Sequence, residues 1–241
     1  MPEQTINIII PVYNEEQYIL TVINEVVAES SGYNQNVRII TVNDGSTDNT
    51  RVLIEDFISK NPLLDIIYIN NEKNFGKGFS VRRGIQNCKE GIIIIQDSDL
   101  EYSPSEYKKL INPILQGKTD VVYGSRFQGS EPKRVLYYGH YVANKMITTL
   151  SNIFTRLNLS DIETCYKAFK TSAIKEIRLK ENRFGFEPEI TAKLSRVKGI
   201  RFAEVGISYF GRTYSEGKKI KFKDAVRTVY CIFKYNIWSR K

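Results

Sequence analysis

Hydrophobic residues recur along the first half of the chain in two alternating rhythms. Ile6–Val12 is a short continuous apolar run, the pattern of a strand covered on both faces. After it, Ile19, Val22, Ile23, Val26 and Val27 return at helical spacing, with Asn14 and Gln17 placed as a helix cap. Val37–Val42 and Asp65–Asn70 read as two further strands, with Val52, Leu53, Asp56, Phe57 and Lys60 marking a helix between them. Gly76–Asn87 reads as a third helix, Ile92–Gln96 as a fourth strand and Asp120–Gly124 as a fifth. This alternation predicts βαβ units and a Rossmann-like α/β fold with a mainly parallel central sheet.

The second half is less regular. Residues 135–158 carry a helical pattern, and residues 161–210 mix short elements. From residue 218 the character changes. Lys218, Lys219, Lys221, Lys223, Arg227, Lys234, Arg240 and Lys241 face one acid, Asp224. Phe222, Val226, Val229, Phe233 and Ile237 step by three or four, and Trp238 follows. The spacing predicts an amphipathic helix that either lies on an anionic membrane surface or docks on the domain's own core. We therefore divide the chain into an α/β domain over residues 1–215 and a basic amphipathic C-terminal segment over residues 216–241.

In a parallel sheet, ligands sit at the carboxyl ends of the strands. The chemically suggestive residues fall there. Pro11, Tyr13, Asn14 and Glu15 close the first strand, Asn43 and Asp44 the second, and Asp97, Ser98 and Asp99 the fourth. Two carboxylates one residue apart at a strand end can both reach a divalent cation. Mg2+ and Mn2+ prefer such oxygen ligands and bridge them to substrate phosphates. Glu101 stands where a third carboxylate ligand would. Asn71–Gly78 joins glycines to Lys77 at a helix start, which suits an anionic partner.

The net charge of +8 fits a phosphorylated substrate, an anionic membrane or nucleic acid. The strand ends are acidic and no nucleic-acid motif is present, which argues against the last. Cys88, Cys165 and Cys231 are scattered, as for free thiols in a reducing compartment. No apolar run approaches the ~20 residues of a membrane span. These features point to a cytoplasmic location, with peripheral attachment at the cytoplasmic face of a membrane as an option.

Five segments in order resemble the family 2 glycosyltransferases of the GT-A fold: Pro11–Glu16, Asn43–Thr50, Asn74–Gly78, Asp97–Glu101 with Pro104, and Gly124–Arg126. The resemblance covers about residues 5–215 and is greatest to the dolichyl-phosphate mannose or glucose synthase branch. It implies an inverting, metal-dependent transfer of a hexose from a donor of the GDP-mannose or UDP-glucose class to a polyprenyl phosphate. It further implies that Asp44 contacts the nucleobase, Asp97 the sugar or metal-bound diphosphate, and Asp99 the metal. Two positions depart from the family pattern: Asn43 replaces a frequent Asp, and Glu101 replaces a frequent Gln.

The acceptor is the open point. A hydroxyl needs a general base, for which Asp161, Glu163, Glu187 and Glu189 are candidates. A lipid phosphate is already anionic and needs cations instead. Arg126, Lys133, Arg134, Arg212 and Lys218 are available, with Arg126 and Arg212 expected to act in the reaction. Transfer to a saccharide or protein hydroxyl in cell-surface glycoconjugate synthesis is the alternative.

Overall fold

The computed structural model describes residues 5–135, 137–213 and 222–239. Lys218 and the rest of residues 214–221, together with Arg240 and Lys241, lie outside them. Seven strands form one sheet: β1 (Ile6–Val12), β2 (Val37–Asn43), β3 (Ile66–Asn70), β4 (Ile92–Ile95), β5 (Val121–Ser125), β6 (Lys167–Lys170) and β7 (Phe202–Gly206). Their order is β3-β2-β1-β4-β6-β5-β7. All neighbours pair in parallel except β6, which runs antiparallel to both β4 and β5.

The centre of the sheet follows directly from the apolar runs. Every residue of β1 and β4 is buried. Successive side chains point to opposite faces of a strand. Ile8 and Ile10 accordingly join a core with α1 (Ile19–Ser30), α2 (Thr50–Lys60) and α4 (Tyr107–Leu115). Ile9, Ile93 and Ile95 join the opposite core, with α3 (Lys77–Gln86), α5 (Tyr138–Thr155), α6 (Thr171–Lys175) and α7 (Phe186–Leu194). Each such isoleucine contributes roughly 1.5–3 kcal/mol of burial. The one polar residue inside β1, Asn7, is satisfied by the carbonyls of Glu90 and Ile92, at 2.9 and 3.2 Å.

One expectation is corrected here. Asn14 does not cap α1, which starts at Ile19 without a side-chain cap. Instead Asn14 takes a positive φ of 50° and accepts the Thr47 amide at 2.8 Å. Residues 161–210, read as mixed short elements, contain the inserted strand β6 and the edge strand β7, neither of which the apolar pattern marked individually.

The C-terminal helix α8 (Phe222–Phe233) docks on α7 and α5, followed by a π-helical turn (Lys234–Trp238). The docked line is Thr228, Cys231, Ile232 and Tyr235. It is rotated from the expected apolar face, of which Val226 and Ile237 remain exposed beside Tyr230 and Trp238. The Phe222 side chain lies outside the described residues. Glu181 fastens the helix, accepting bonds from Arg227 at 2.8 Å, Lys234 at 2.8 Å and the Tyr235 hydroxyl at 2.8 Å. Among the described residues, no helix is long and apolar enough to cross a membrane.

Candidate active site

The carboxyl ends of β1, β2, β4 and β5 open into one cleft of about 670 Å³. Pro11, Tyr13, Glu15, Asp44, Lys77, Asp97, Ser98, Asp99, Glu101, Arg126 and Arg212 all line it. Asn14 stands behind this wall. It helps join the loops after β1 and β2, where the Asn14 amide donates to the Ser46 hydroxyl at 3.0 Å and the Glu15 amide to Thr50 Oγ1 at 2.9 Å.

Asp44 is buried and fully engaged. Its carboxylate accepts the amides of Phe75 and Gly76 at 3.1 and 2.7 Å and the Asn71 side chain at 2.7 Å. It therefore clamps the loop before α3 onto the end of β2. The adjoining Gly45 has φ +67°, and a Cβ there would meet the Lys73 backbone at 2.5 Å. Asn43 explains its own departure from Asp. Its amide donates to Asn70 Oδ1 at 2.8 Å while its carbonyl accepts the Ser46 hydroxyl at 2.5 Å, and a carboxylate could not do the first.

The loop after β4 gathers negative charge. Glu15, Asp97, Asp99 and Glu101 share the cleft with the cations Lys77 and Arg212. Lys77 pairs with Asp97; although burial opposes it, the pull of Asp97 together with Cys165 and Glu187 holds the ammonium well above its ordinary pKa. Arg212 donates to Glu15 at 3.1 and 3.2 Å and to Asp99 Oδ2 at 3.0 Å, while its guanidinium stacks over Tyr18. Burial, then Asp97 and Glu101, push the Asp99 carboxyl up to about 7, against the pull of Arg212. The excess of hard oxygen donors and like charge fits a divalent cation.

Glu101 lines the same cleft and is held by protein donors. Its two oxygens accept the Arg212 amide at 2.7 Å and the Tyr209 hydroxyl at 2.8 Å. Among the described residues no three carboxylates, histidines or cysteines converge as a metal cage. A Mg2+ or Mn2+ ion would thus draw ligands from Asp99 and Asp97 and complete its shell with phosphate and water.

Arg126 forms a two-pronged bond with Asp161, at 2.7 and 2.8 Å, and lies over the Tyr209 ring. Although burial opposes it, Arg126 holds the Asp161 carboxyl below its usual range. Glu187 is buried against Lys167. Glu189 accepts the amides of Lys180 and Glu181 at 2.8 and 2.7 Å. Of the four candidate bases only Glu163 lines the cleft. One of its oxygens is sealed without a partner, and burial followed by the Glu187 charge pushes it up to about 7. Lys133 and Arg134 sit beside the cleft, where they bridge to Tyr209 and Gly211. Sequence reasoning missed Tyr102, Cys165, Arg183, Phe184 and Tyr209 as lining residues. Their strands and loops meet the cleft only through the fold.

Three comparisons place this geometry. The sequence profile "Glycosyl transferase family 2" matches residues 7–178. The dodecaprenyl-phosphate galacturonate synthase of Rhizobium johnstonii is 23% identical over 88% of this chain, which spans 61% of that protein's length. The UDP-N-acetylglucosamine–dolichyl-phosphate N-acetylglucosaminyltransferase of Methanococcus voltae is 27% identical, with 89% of each chain covered. Among solved structures, glucosyl-3-phosphoglycerate synthase of Mycobacterium tuberculosis, in complex with Mn2+ and UDP-glucose, superposes with a TM-score of 0.73. That match covers 97% of this chain and 79% of the other at 17% identity, and it shows the shared fold. With its GT-A sheet and strand-end cleft, the chain belongs to glycosyl transferase family 2, the nucleotide-sugar-dependent glycosyltransferases.

Proposed function

We propose that the enzyme transfers a hexose, with inversion, from a nucleoside-diphosphate sugar of the GDP-mannose or UDP-glucose class to a polyprenyl phosphate. The observation that carries this is the state of the candidate bases. Asp161, Glu187 and Glu189 are each committed to a cation or to backbone amides, whereas Lys77, Arg126, Arg183 and Arg212 line the cleft beside its carboxylates. An anionic acceptor needs charge compensation and no base. The relatives from Rhizobium and Methanococcus are named for lipid-phosphate acceptors, in keeping with this reading.

In this reading, the Asp44 clamp shapes the nucleotide end, with Pro11, Tyr13 and Glu15 as its wall. Ser98 and Lys77 flank the diphosphate, and Asp97 and Asp99 would hold Mg2+ or Mn2+. The ion, when bound, supplies charge neutralisation for the departing diphosphate. Arg126 and Arg212 face the side where the acceptor's phosphate must enter. Attack by a phosphate oxygen on the anomeric carbon forms the new C–O bond as the bond to the diphosphate breaks. Val135, Tyr137, Tyr138 and Tyr141 are exposed near the Arg126 wall, where Phe127 meets Tyr141 at 5.4 Å. With Tyr230 on α8 and Ile237 and Trp238 on the π-helical turn after it, they support peripheral contact with an anionic membrane.

Glu163 favours one alternative, transfer to a saccharide or protein hydroxyl with Glu163 as base. Transfer assays with purified protein, Mn2+ and each donor, against a short-chain polyprenyl phosphate and a simple sugar, separate the two. Product with the sugar alone would overturn the lipid-phosphate reading.

A further inference from the structure

Four cationic side chains line the cleft: Lys77, Arg126, Arg183 and Arg212. Three of them are already paired, with Asp97, Asp161, and Glu15 and Asp99 respectively. Arg183 differs. It is exposed, and its guanidinium has neither hydrogen bond nor ion pair among the described residues.

The loop that carries Arg183 is nonetheless fixed. Arg82 grips it from α3, bonding the Glu181 carbonyl and reaching Asn182 Oδ1 at 2.5 Å. The Phe79 amide donates to the Asn182 carbonyl at 3.0 Å. The Arg183 stem lies against Gly76, where an added Cβ would stand 2.8 Å from its Cγ. Gly76 is the residue whose amide Asp44 holds. A free guanidinium is thus held by an anchored loop on the wall of the proposed nucleotide site. It also borders a mainly basic hollow that it lines with Lys180, Lys223, Arg227 and Lys234 and the acids Glu181 and Asp224. In that hollow Glu181 is already shared by Arg227 and Lys234, so it offers Arg183 no free counter-charge.

We propose that Arg183 is a substrate-binding residue of this cleft that takes a phosphate oxyanion, belonging either to the donor's diphosphate or to the acceptor. The identity of those reactants rests on the function proposed above; the anion site itself does not. A guanidinium without a protein partner exchanges only water, and no protein bond, when it meets a phosphate, and its planar fork matches two phosphate oxygens.

The test uses the full chain with Arg183→Met, which keeps an apolar stem and removes the charge, and Arg183→Lys, which keeps the charge without the fork. Calorimetry with inorganic pyrophosphate, UDP and GDP, each with Mg2+, reads the donor arm. The acceptor arm reads KM and kcat for a short-chain polyprenyl phosphate. Arg183→Met should weaken phosphate binding about tenfold or more, with Arg183→Lys between it and wild type and thermal unfolding unchanged in both. Loss of UDP or GDP affinity assigns Arg183 to the donor. A raised acceptor KM at constant kcat and constant nucleotide affinity assigns it to the acceptor. Arg183→Met equal to wild type within about twofold in every arm would overturn the proposal. Wild-type protein that binds pyrophosphate through Arg183 but neither nucleotide would preserve the anion site and sink the proposed function. Wild type binding none of these anions would overturn both.

Discussion

Arg212 Nη2 lies 3.0 Å from Asp99 Oδ2, joining residues 113 positions apart at the centre of the carboxylate cluster. The same guanidinium reaches Glu15, and the Arg212 amide is held by Glu101. Three loops are thereby drawn around one positive charge. Asp99 and Glu101 face the cleft from the strand-four loop.

Asp99→Ala should lower turnover at least ~100-fold, or about 2.7 kcal/mol in the barrier. The residue sits on a loop outside the apolar cores, so the fold should persist. Steady-state rates with added Mn2+, alongside thermal unfolding, test this. Near-normal turnover, or full wild-type activity in excess chelator, would remove the metal from the chemistry.

Asp44→Ala should release the Phe75 and Gly76 amides as well as change the cleft wall. Hydrogen bonds to a charged acceptor are worth about 1.5–3 kcal/mol. Both nucleoside-diphosphate affinity and melting temperature should therefore fall. Unchanged affinity with a lowered melting temperature would confine Asp44 to the clamp.

These roles were only partly visible in the sequence. β1, β2 and β4 were legible because a strand buried on both faces writes a local apolar run. β6 was not, since Lys167 and Lys170 interrupt it. The fold accommodates Lys167 by giving its ammonium the Ile162 carbonyl at 3.0 Å and the Glu187 carboxylate. Asp97 and Asp99 stood out by their position after β4. The contacts of Asp44 and Arg212 did not, because their partners lie 27–32 and 111–197 residues away. Asn14 was read as a cap because local chemistry permits it; the neighbouring loop won its side chain instead.

The acceptor class can also be read from pH. If Glu163 were the base, it would have to be ionised, and with its carboxyl near 7 the rate would drop progressively below that pH. Transfer to a phosphate should lack the Glu163 contribution, so Glu163→Gln should leave the acid side of the pH profile where the wild type has it. Glu163→Gln should therefore leave polyprenyl-phosphate transfer within about threefold of wild type, since a base contributes ~100-fold or more where one is needed.

Acid should loosen the C-terminal helix. Although burial opposes it, Lys234, Arg227 and Tyr235 lower the Glu181 carboxyl from 4.5 to about 2. A carboxylate whose pKa falls on folding stabilises fully above its unfolded value and loses that contribution as pH drops toward the folded one. Thermal stability should thus decline between about pH 5 and pH 2 partly through Glu181. Glu181→Gln should melt lower at pH 7 and show a shallower acid decline. Equal slopes in the two proteins would contradict this linkage.

The most direct measurement is a single-turnover assay with radiolabelled UDP-glucose or GDP-mannose, Mn2+ and a short-chain polyprenyl phosphate, read by partition of label into the lipid phase. The expected result is label in an acid-labile, β-linked polyprenyl-phosphate sugar for at least one donor, abolished by chelator and by Asp99→Ala. Label that passes only to a sugar hydroxyl, and disappears with Glu163→Gln, would contradict it.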